Sequence, residues 1–263
     1  MRNLLGILAL AMVAGAADNT LTPQEKAAGW KLLFDGKTFK GWEDPGRKSP
    51  PGDSFLIEDG CLKATKKPKI NEDLFSRDSF TDFELEFDWK LSPGGNSGVK
   101  YRIQDRILLA PAPPGMKFED HVNQTLKNPL KVRPEKGQEY VVGFEYQALD
   151  NERHPDARRG MSHQSGALYD VFAPSKDATR PVGEFNHSRL VVKGDHIEHW
   201  LNGVEVVEGS LKDPEVGKSA AKRWGQESPV YHMLAEQPRN SCKISLQNHN
   251  DEAWFKNIKI RRL

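Results

Sequence analysis

The sequence predicts an all-β protein, an antiparallel β-sandwich with long loops and one or two short helices, and three observations predict it. Short segments of apolar–polar alternation recur along the chain. In DFELEFDWKL, Phe83, Leu85, Phe87 and Trp89 alternate with Glu84, Glu86, Asp88 and Lys90. The 22 glycines and 17 prolines of the 263 residues are spread along the chain as turn punctuation, with no low-complexity tract. No helical pattern alternates with the strands, which argues against a parallel α/β sheet.

Taken in order, the chain opens with Arg2, the apolar run Leu4–Ala14 and the small residues Gly15, Ala16 and Ala17. That is the charged region, short apolar region and A-x-A-like site of a secretory signal peptide, too short to span a bilayer. Cleavage near Ala16 or Ala17 predicts an exported product, periplasmic or extracellular, with residues 18–263 as a single domain. Pro23–Ala28 reads as helix. Strands are expected at Phe55–Ala64, Phe83–Leu91, Ser97–Gln104, Tyr140–Leu149, Ala167–Phe172, Ser188–Val192, His196–Leu201, Val204–Glu208, Lys243–Asn248 and Trp254–Arg261. Asn202-Gly203 is a strong hairpin signal, so the strands on either side of it should pair antiparallel. Pro214–Trp224 reads as a second helix, with Asp213 as N-cap and Pro214 in the first turn. Two segments break the rhythm. Ile107–Lys136, containing APAPPG, reads as a long insertion acting as lid or rim. Arg153–Ser165 is rich in Arg, His and Gly.

Charge narrows the partners. The chain carries 38 basic and 37 acidic residues, and loss of Arg2 with the signal leaves 37 of each. A neutral chain argues against nucleic acid or an anionic membrane as main partner. No other apolar run is long enough to cross a bilayer. The two cysteines, Cys61 and Cys242, either bridge, as an exported pair can, or remain as buried thiols.

The densest functional signal is YVVGFEYQALD, Tyr140–Asp150, followed by NERHPDA. Alternation places Val142, Phe144, Tyr146 and Ala148 on a core face and Gly143, Glu145 and Gln147 on the other. The same parity turns Val99, Tyr101 and Ile103 inward and Lys100, Arg102 and Gln104 outward. It also leaves Ser245, Gln247 and His249 opposite Ile244 and Leu246. Arg102, Glu145, Gln147, Gln247 and His249 then form one polar floor of donors and acceptors suited to sugar hydroxyls, with Asp150, His154 and Tyr169 at its edge. Tyr169 is either a stacking platform or a core tyrosine, and His199, sharing a face with Ile197 and Leu201, reads as structural. Trp42, Trp89 and Trp254 read as core. Glu145, His154 and Asp156 are ligand types that could hold a divalent metal.

The motifs GWKLLFDGKTFKGWE, GGNSGVKYR, FEYQALDNERHPDA, GALYDVFAP, GEFNHSRLVVKGDHIEHWLNGVEVV and ISLQNHNDEAWFKNIKIRRL occur in this order over essentially the whole mature chain. In them the chain resembles the 3-keto-disaccharide hydrolase domain family, while the Ile107–Lys136 stretch departs from that family's usual compactness. The resemblance implies a concanavalin-like β-sandwich (jelly roll) whose concave sheet carries the ligand site, and a small-molecule carbohydrate substrate. It also implies glycoside cleavage in a sugar oxidised at C3. A C3 ketone acidifies the C2 hydrogen, so the aglycone can leave C1 by elimination and water can then add. That route needs one base and an electrophile for the enolate oxygen, whereas an ordinary glycosidase needs two flanking carboxylates. On this reading Glu145 or His154 is the base, and Arg102 or a bound metal holds the enolate. Asp150 and Asp156 orient the histidine, while Lys100, Gln147, Tyr169, Asp156, Gln247 and His249 bind the sugar. The alternative is a non-catalytic carbohydrate-binding module on the same sandwich.

Overall fold

The computed structural model describes residues 17–44 and 52–263, so the signal segment read at residues 1–17 lies, but for Ala17, outside the described residues. The described strands are β1 (Lys31–Leu32), β2 (Trp42–Glu43), β3 (Phe55–Glu58), β4 (Cys61–Ala64), β5 (Ile70–Asn71), β6 (Leu74–Ser76), β7 (Phe83–Leu91), β8 (Asn96–Leu109), β9 (Gly137–Leu149), β10 (Asn186–Lys193), β11 (His196–Leu201), β12 (Val204–Ser210), β13 (Ser245–Leu246) and β14 (Ala253–Arg262). They form two layers. The larger sheet runs β12-β11-β10-β7-β14-β4-β3, with β1 added on β14, and the smaller runs β2-β6-β13-β8-β9-β5. Every pair is antiparallel except β5 with β9. This is the sandwich that the alternating pattern predicts.

The alternation explains the core. Phe83, Leu85, Phe87 and Trp89 of β7 face Val99 and Tyr101 of β8, Phe144 and Tyr146 of β9, and Ile244 and Leu246, all of them buried. Each such side chain contributes roughly 1.5–3 kcal/mol relative to exposure. Polar atoms inside this core are paired, as burial requires. Trp89 Nε1 donates to Ser188 Oγ (2.8 Å), which donates to Tyr146 Oη (2.8 Å). His199 bonds Tyr101 Oη through Nε2 (3.0 Å) and Gly166 O through Nδ1 (2.9 Å), the structural role that its apolar strand face suggests.

The structure departs from the sequence reading in several places. Helix forms at Pro23–Ala27 (α1) and Pro214–Trp224 (α3), as expected, but also at Phe118–Lys127 (α2) and Pro229–Tyr231 (α4), the last continuing as a π-helical turn, His232–Glu236. The long insertion is therefore a longer β8, running to Leu109, followed by a helix. α2 gives a weak signal because its N-cap, Lys117, offers no capping side chain and only Val122 and Thr125 are buried. Ala167–Phe172 makes isolated bridges rather than a strand, with Asp170 at φ 64° turning the chain. Val142, expected in the main core, instead joins a second apolar cluster with Ile107, Leu109, Val122, Trp224 and Val230, where the helices meet the far ends of β8 and β9. Trp254 is only partly buried and takes Lys63 and Lys90 over its ring. Cys61 and Cys242 are both free, buried thiols, one in β4 of the larger sheet and the other beyond the edge of β13 in the smaller, bridged to Phe80.

Burial drives the pKa of His199 down to about 4. An unfolded histidine titrates near 6.5, so between the two values only the unfolded chain gains a proton, and stability falls as pH drops through that window by up to about 3 kcal/mol. The urea midpoint should therefore decline from pH 6.5 to pH 4. His199→Gln, which cannot take the proton, should lose measurably less stability over the same range.

Candidate active site

The smaller sheet positions the site. Lys100 of β8 lies opposite Glu145 of β9 and Ser245 of β13, and Gly98 lies opposite Gln147. Lys100, Glu145 and Gln147 therefore project from the sheet face turned away from the core, joined by Gln247 just past β13. They floor a cavity of about 680 Å³, whose rim is the loop after β9 and whose far wall is α2, α3 and the π-helical turn. Glu145 folds down over Gly98: a Cβ there would overlap Oε1 and lie 2.9 Å from Cγ.

With their amides oriented to satisfy their neighbours, Gln147 Nε2 donates to Glu145 Oε1 (3.1 Å) and Gln247 Nε2 donates to the same oxygen (3.3 Å). Gln247 Oε1 in turn accepts from Lys100 Nζ (3.3 Å). Among the described residues no protein group donates to Glu145 Oε2, which is left for a ligand. Burial, together with the carboxylates of Asp73 and Asp156, pushes Glu145 up to about 7 against the pull of Lys100 and Arg223. Burial alone would lower Lys100, but Asp73 (3.6 Å) and Glu145 hold its pKa above the ordinary value, so it stays charged.

The rim is a loop ending in a 3-10 turn, Pro155–Arg159. His154 caps that turn, its Nδ1 accepting from Asp156 N (3.1 Å), which puts the proton of the neutral ring on Nε2. Asp156 accepts from Tyr169 Oη (2.7 Å) and Arg159 (2.8 Å), and against its burial these bonds hold it below the usual carboxylate range. Tyr169, its hydroxyl raised by burial, is thus a fixed wall rather than a proton donor. His249 lies on the rim 6.0 Å from the His154 ring. Desolvation and the neighbouring His154 and Lys100 lower its pKa, favouring the neutral imidazole that a metal requires.

The ligand set differs from the one read in the sequence. Donor atoms of His154, His249 and Asp251 all lie within 4.8 Å of one another, a group that includes neither Glu145 nor Asp156, the latter committed to Tyr169 and Arg159. Two imidazoles and a carboxylate suit a divalent transition metal. Asp251 escaped the sequence reading because only the turn at Asn250, φ 68°, brings it back toward the loop of His154.

Lys100, Glu145, Gln147, His154, Asp156, Tyr169, Gln247 and His249 all line the cavity, and two expected residues do not. Arg102 has φ 49° at an irregularity in β8 between Tyr101 and Asp105, which reverses its direction. Its guanidinium is buried against Asn240 O, Gly194 O (2.7 Å) and Asp82, tying the two layers together. Asp150 faces a separate small cavity and accepts from the backbone N–H groups of Gly94 (2.8 Å), Glu152 and Arg153, fixing the turn that launches the rim. Against burial, those bonds lower its pKa. Parity along β8 and β9 could not reveal Arg159 and Arg223, which belong to a 3-10 turn and a helix, nor Asp73, which precedes β6. Six carboxylates line the cavity (Asp73, Glu119, Glu139, Glu145, Asp156, Asp170) against Lys100, Arg159 and Arg223.

A sandwich bearing this polar pocket is a small-molecule site of the kind that glycoside-active proteins use. The chain belongs to the 3-keto-alpha-glucoside-1,2-lyase-like domain family, whose profile matches residues 29–261. It is 31% identical over 253 residues, 90% of this chain and 79% of the relative, to the 3-keto-disaccharide hydrolase of Bacteroides thetaiotaomicron. Two crystal structures described as candidate glycosyl hydrolases of Parabacteroides distasonis ATCC 8503 share the architecture. One is 26% identical with TM-score 0.69, covering 94% of this chain and all of that one. The other is 25% identical with TM-score 0.60, covering 89% and 99%.

Two outcomes follow from the floor. Gly98→Ala should push the Glu145 carboxylate off its amide donors and cut turnover at least tenfold, with an unchanged circular dichroism spectrum. Because Glu145 is held above its unfolded pKa, the folded chain keeps a proton that the unfolded chain releases between about pH 4.5 and 7, and stability falls as pH rises through that window. Glu145→Gln removes that cost, so its Tm should exceed that of wild type at pH 8 and converge with it at pH 4.5.

Proposed function

We propose that this chain is an exported enzyme that cleaves 3-keto-glycosides, with Glu145 as the base. The observation that carries this reading is the single uncommitted carboxylate oxygen, Glu145 Oε2, on the cavity floor. The other carboxylates there have their own partners: Asp73 holds Ser245 and Lys100, Glu139 holds Arg106, Asp156 holds Tyr169 and Arg159, and Asp170 and Glu119 hold Arg223. On the floor itself no second free carboxylate stands beside Glu145 among the described residues, whereas ordinary glycoside hydrolysis needs a flanking pair. One base suffices when a C3 ketone has already acidified C2–H. A carboxylate with a pKa of about 7 is matched to the task at neutral pH.

In this mechanism Glu145 removes the C2 proton, the C1–O bond breaks, and the aglycone oxygen takes up a proton equivalent to the one removed. Water then adds across C1=C2, so the net reaction is hydrolysis. Lys100, Gln147 and Gln247 orient the sugar hydroxyls over the base. With Arg102 turned away, His154, His249 and Asp251 are the residues that would hold a divalent cation. When bound there, such an ion supplies Lewis-acid stabilisation of the enolate oxygen. Because His154 Nδ1 accepts from the Asp156 N–H, its neutral ring carries the proton on Nε2, and it would bind a cation only in place of that proton or that bond, which leaves Glu145 as the base.

The test is release of aglycone from a 3-keto-glucoside by purified protein, followed across pH and with and without chelator. Wild-type kcat/KM should rise with pH to a plateau above about 7. Glu145→Gln should lose about 10²–10⁴-fold in turnover together with that pH limb. Chelation and His154→Ala should each depress the rate at every pH. Wild-type turnover by Glu145→Gln would remove Glu145 as the base, and sugar binding without any turnover by wild type would replace the enzyme with a lectin-like module.

A further inference from the structure

The cavity is divided by chemistry. Its sheet floor and loop rim carry the charged and amide groups, while its far wall is apolar. There Phe118 at the start of α2, Tyr140 of β9 and Trp224 at the end of α3 form a three-ring cluster, with centroids 5.3, 5.4 and 6.3 Å apart. Val216 and Leu234 extend that wall. Phe118 and Tyr140 are only partly buried, so their open ring surface faces the space above the floor. Arg223 closes the upper edge, stacked 4.8 Å from the Trp224 ring and 5.4 Å from that of Tyr169, its charge balanced by Asp170 and Glu119.

A cavity of about 680 Å³ falls in the range that takes drug-sized ligands, well beyond a single pyranose. The floor already supplies the donors and acceptors that one keto-sugar requires. What remains beside it is a wall of rings whose polar neighbours, Glu119, Ser219 and Arg223, already have partners within the protein. A second sugar seated there would leave hydroxyls without partners, at a cost of the order of 1–3 kcal/mol for each one desolvated, whereas an apolar group gains about 25 cal/mol per Å² buried.

Resting on the proposed cleavage of 3-keto-glycosides, we infer that Phe118, Tyr140 and Trp224 form an aglycone subsite selecting aromatic or other apolar aglycones over a second sugar. The segment after β8 that supplies Phe118 is then a specificity element. Tyr140, whose ring also lies 5.5 Å from Lys100 Nζ, marks the seam between the sugar half and the aglycone half.

The test uses leaving groups of similar basicity, so that reactivity does not pass for recognition: 2-phenylethyl 3-keto-glucoside against a 3-keto-disaccharide of the same anomeric configuration. Wild type should favour the phenylethyl substrate at least tenfold in kcat/KM, mainly through KM. Phe118→Ser and Trp224→Leu should each cut that ratio at least fivefold. Phe118 is partly exposed, so its variant keeps the test valid even if the buried Trp224 variant unfolds. Equal or better cleavage of the disaccharide by wild type, or a ratio unmoved by Phe118→Ser, overturns the inference. No cleavage of either substrate would instead sink the underlying enzymatic reading.

Discussion

The register between β8 and β9 is the constraint on which the rest of the site depends. A side-chain period of two means that setting Lys100 opposite Glu145 also sets Tyr101 against Phe144 in the core and Gly98 opposite Gln147. A one-residue slip of β8 would bury Lys100 between the layers and expose Val99 and Tyr101. The apolar inner face thus specifies the polar outer face. The gap left by Gly98 is where the Glu145 carboxylate folds down onto its amide donors.

Holding a carboxylate on that floor is costly, and the sheet limits the cost without removing it. Lys100 and the two glutamine amides stabilise the anion, yet Asp73 stands behind Lys100 and shares its charge. Asp73 is itself held by Ser245 Oγ (2.9 Å) and the Asn248 N–H, so the lysine cannot turn wholly toward Glu145. The outcome is a carboxyl poised near neutrality rather than an ordinary ion pair. Sites tuned for proton transfer commonly sacrifice stability in this way.

The sandwich was legible in the sequence because its code is local. Strands such as β7 repeat apolar and polar residues with period two, and Asn202-Gly203 marks its hairpin directly, the two residues taking φ 50° and 82°. The floor was legible for the same reason, since Lys100, Glu145, Gln147 and Gln247 follow from parity. Parity fails where the backbone breaks it. Arg102 follows Lys100 by two residues and would share its face, but the positive φ in the β8 irregularity turns it toward the opposite layer. Asp150 sits beside the functional loop, yet its carboxylate is spent on backbone N–H groups, a role that residue type alone does not distinguish from catalysis. The rim residue Asp251 and the wall residue Arg223 come from segments remote in sequence, and only the folded chain brings them beside His154 and into the cavity of Glu145.

These differences divide the molecule's labour. The paired strands hold the groups proposed to touch the sugar, where an error of a fraction of an ångström matters, and a sheet locked by a core on its other face supplies that rigidity. The helices are attached by loops, and α2 packs through the small second apolar cluster, whereas α3 reaches the main core through Val216. Substitutions at Phe118 can therefore reshape the wall without disturbing the register that sets Glu145. Within one family, the floor is the part expected to stay fixed while the helical wall changes with the aglycone.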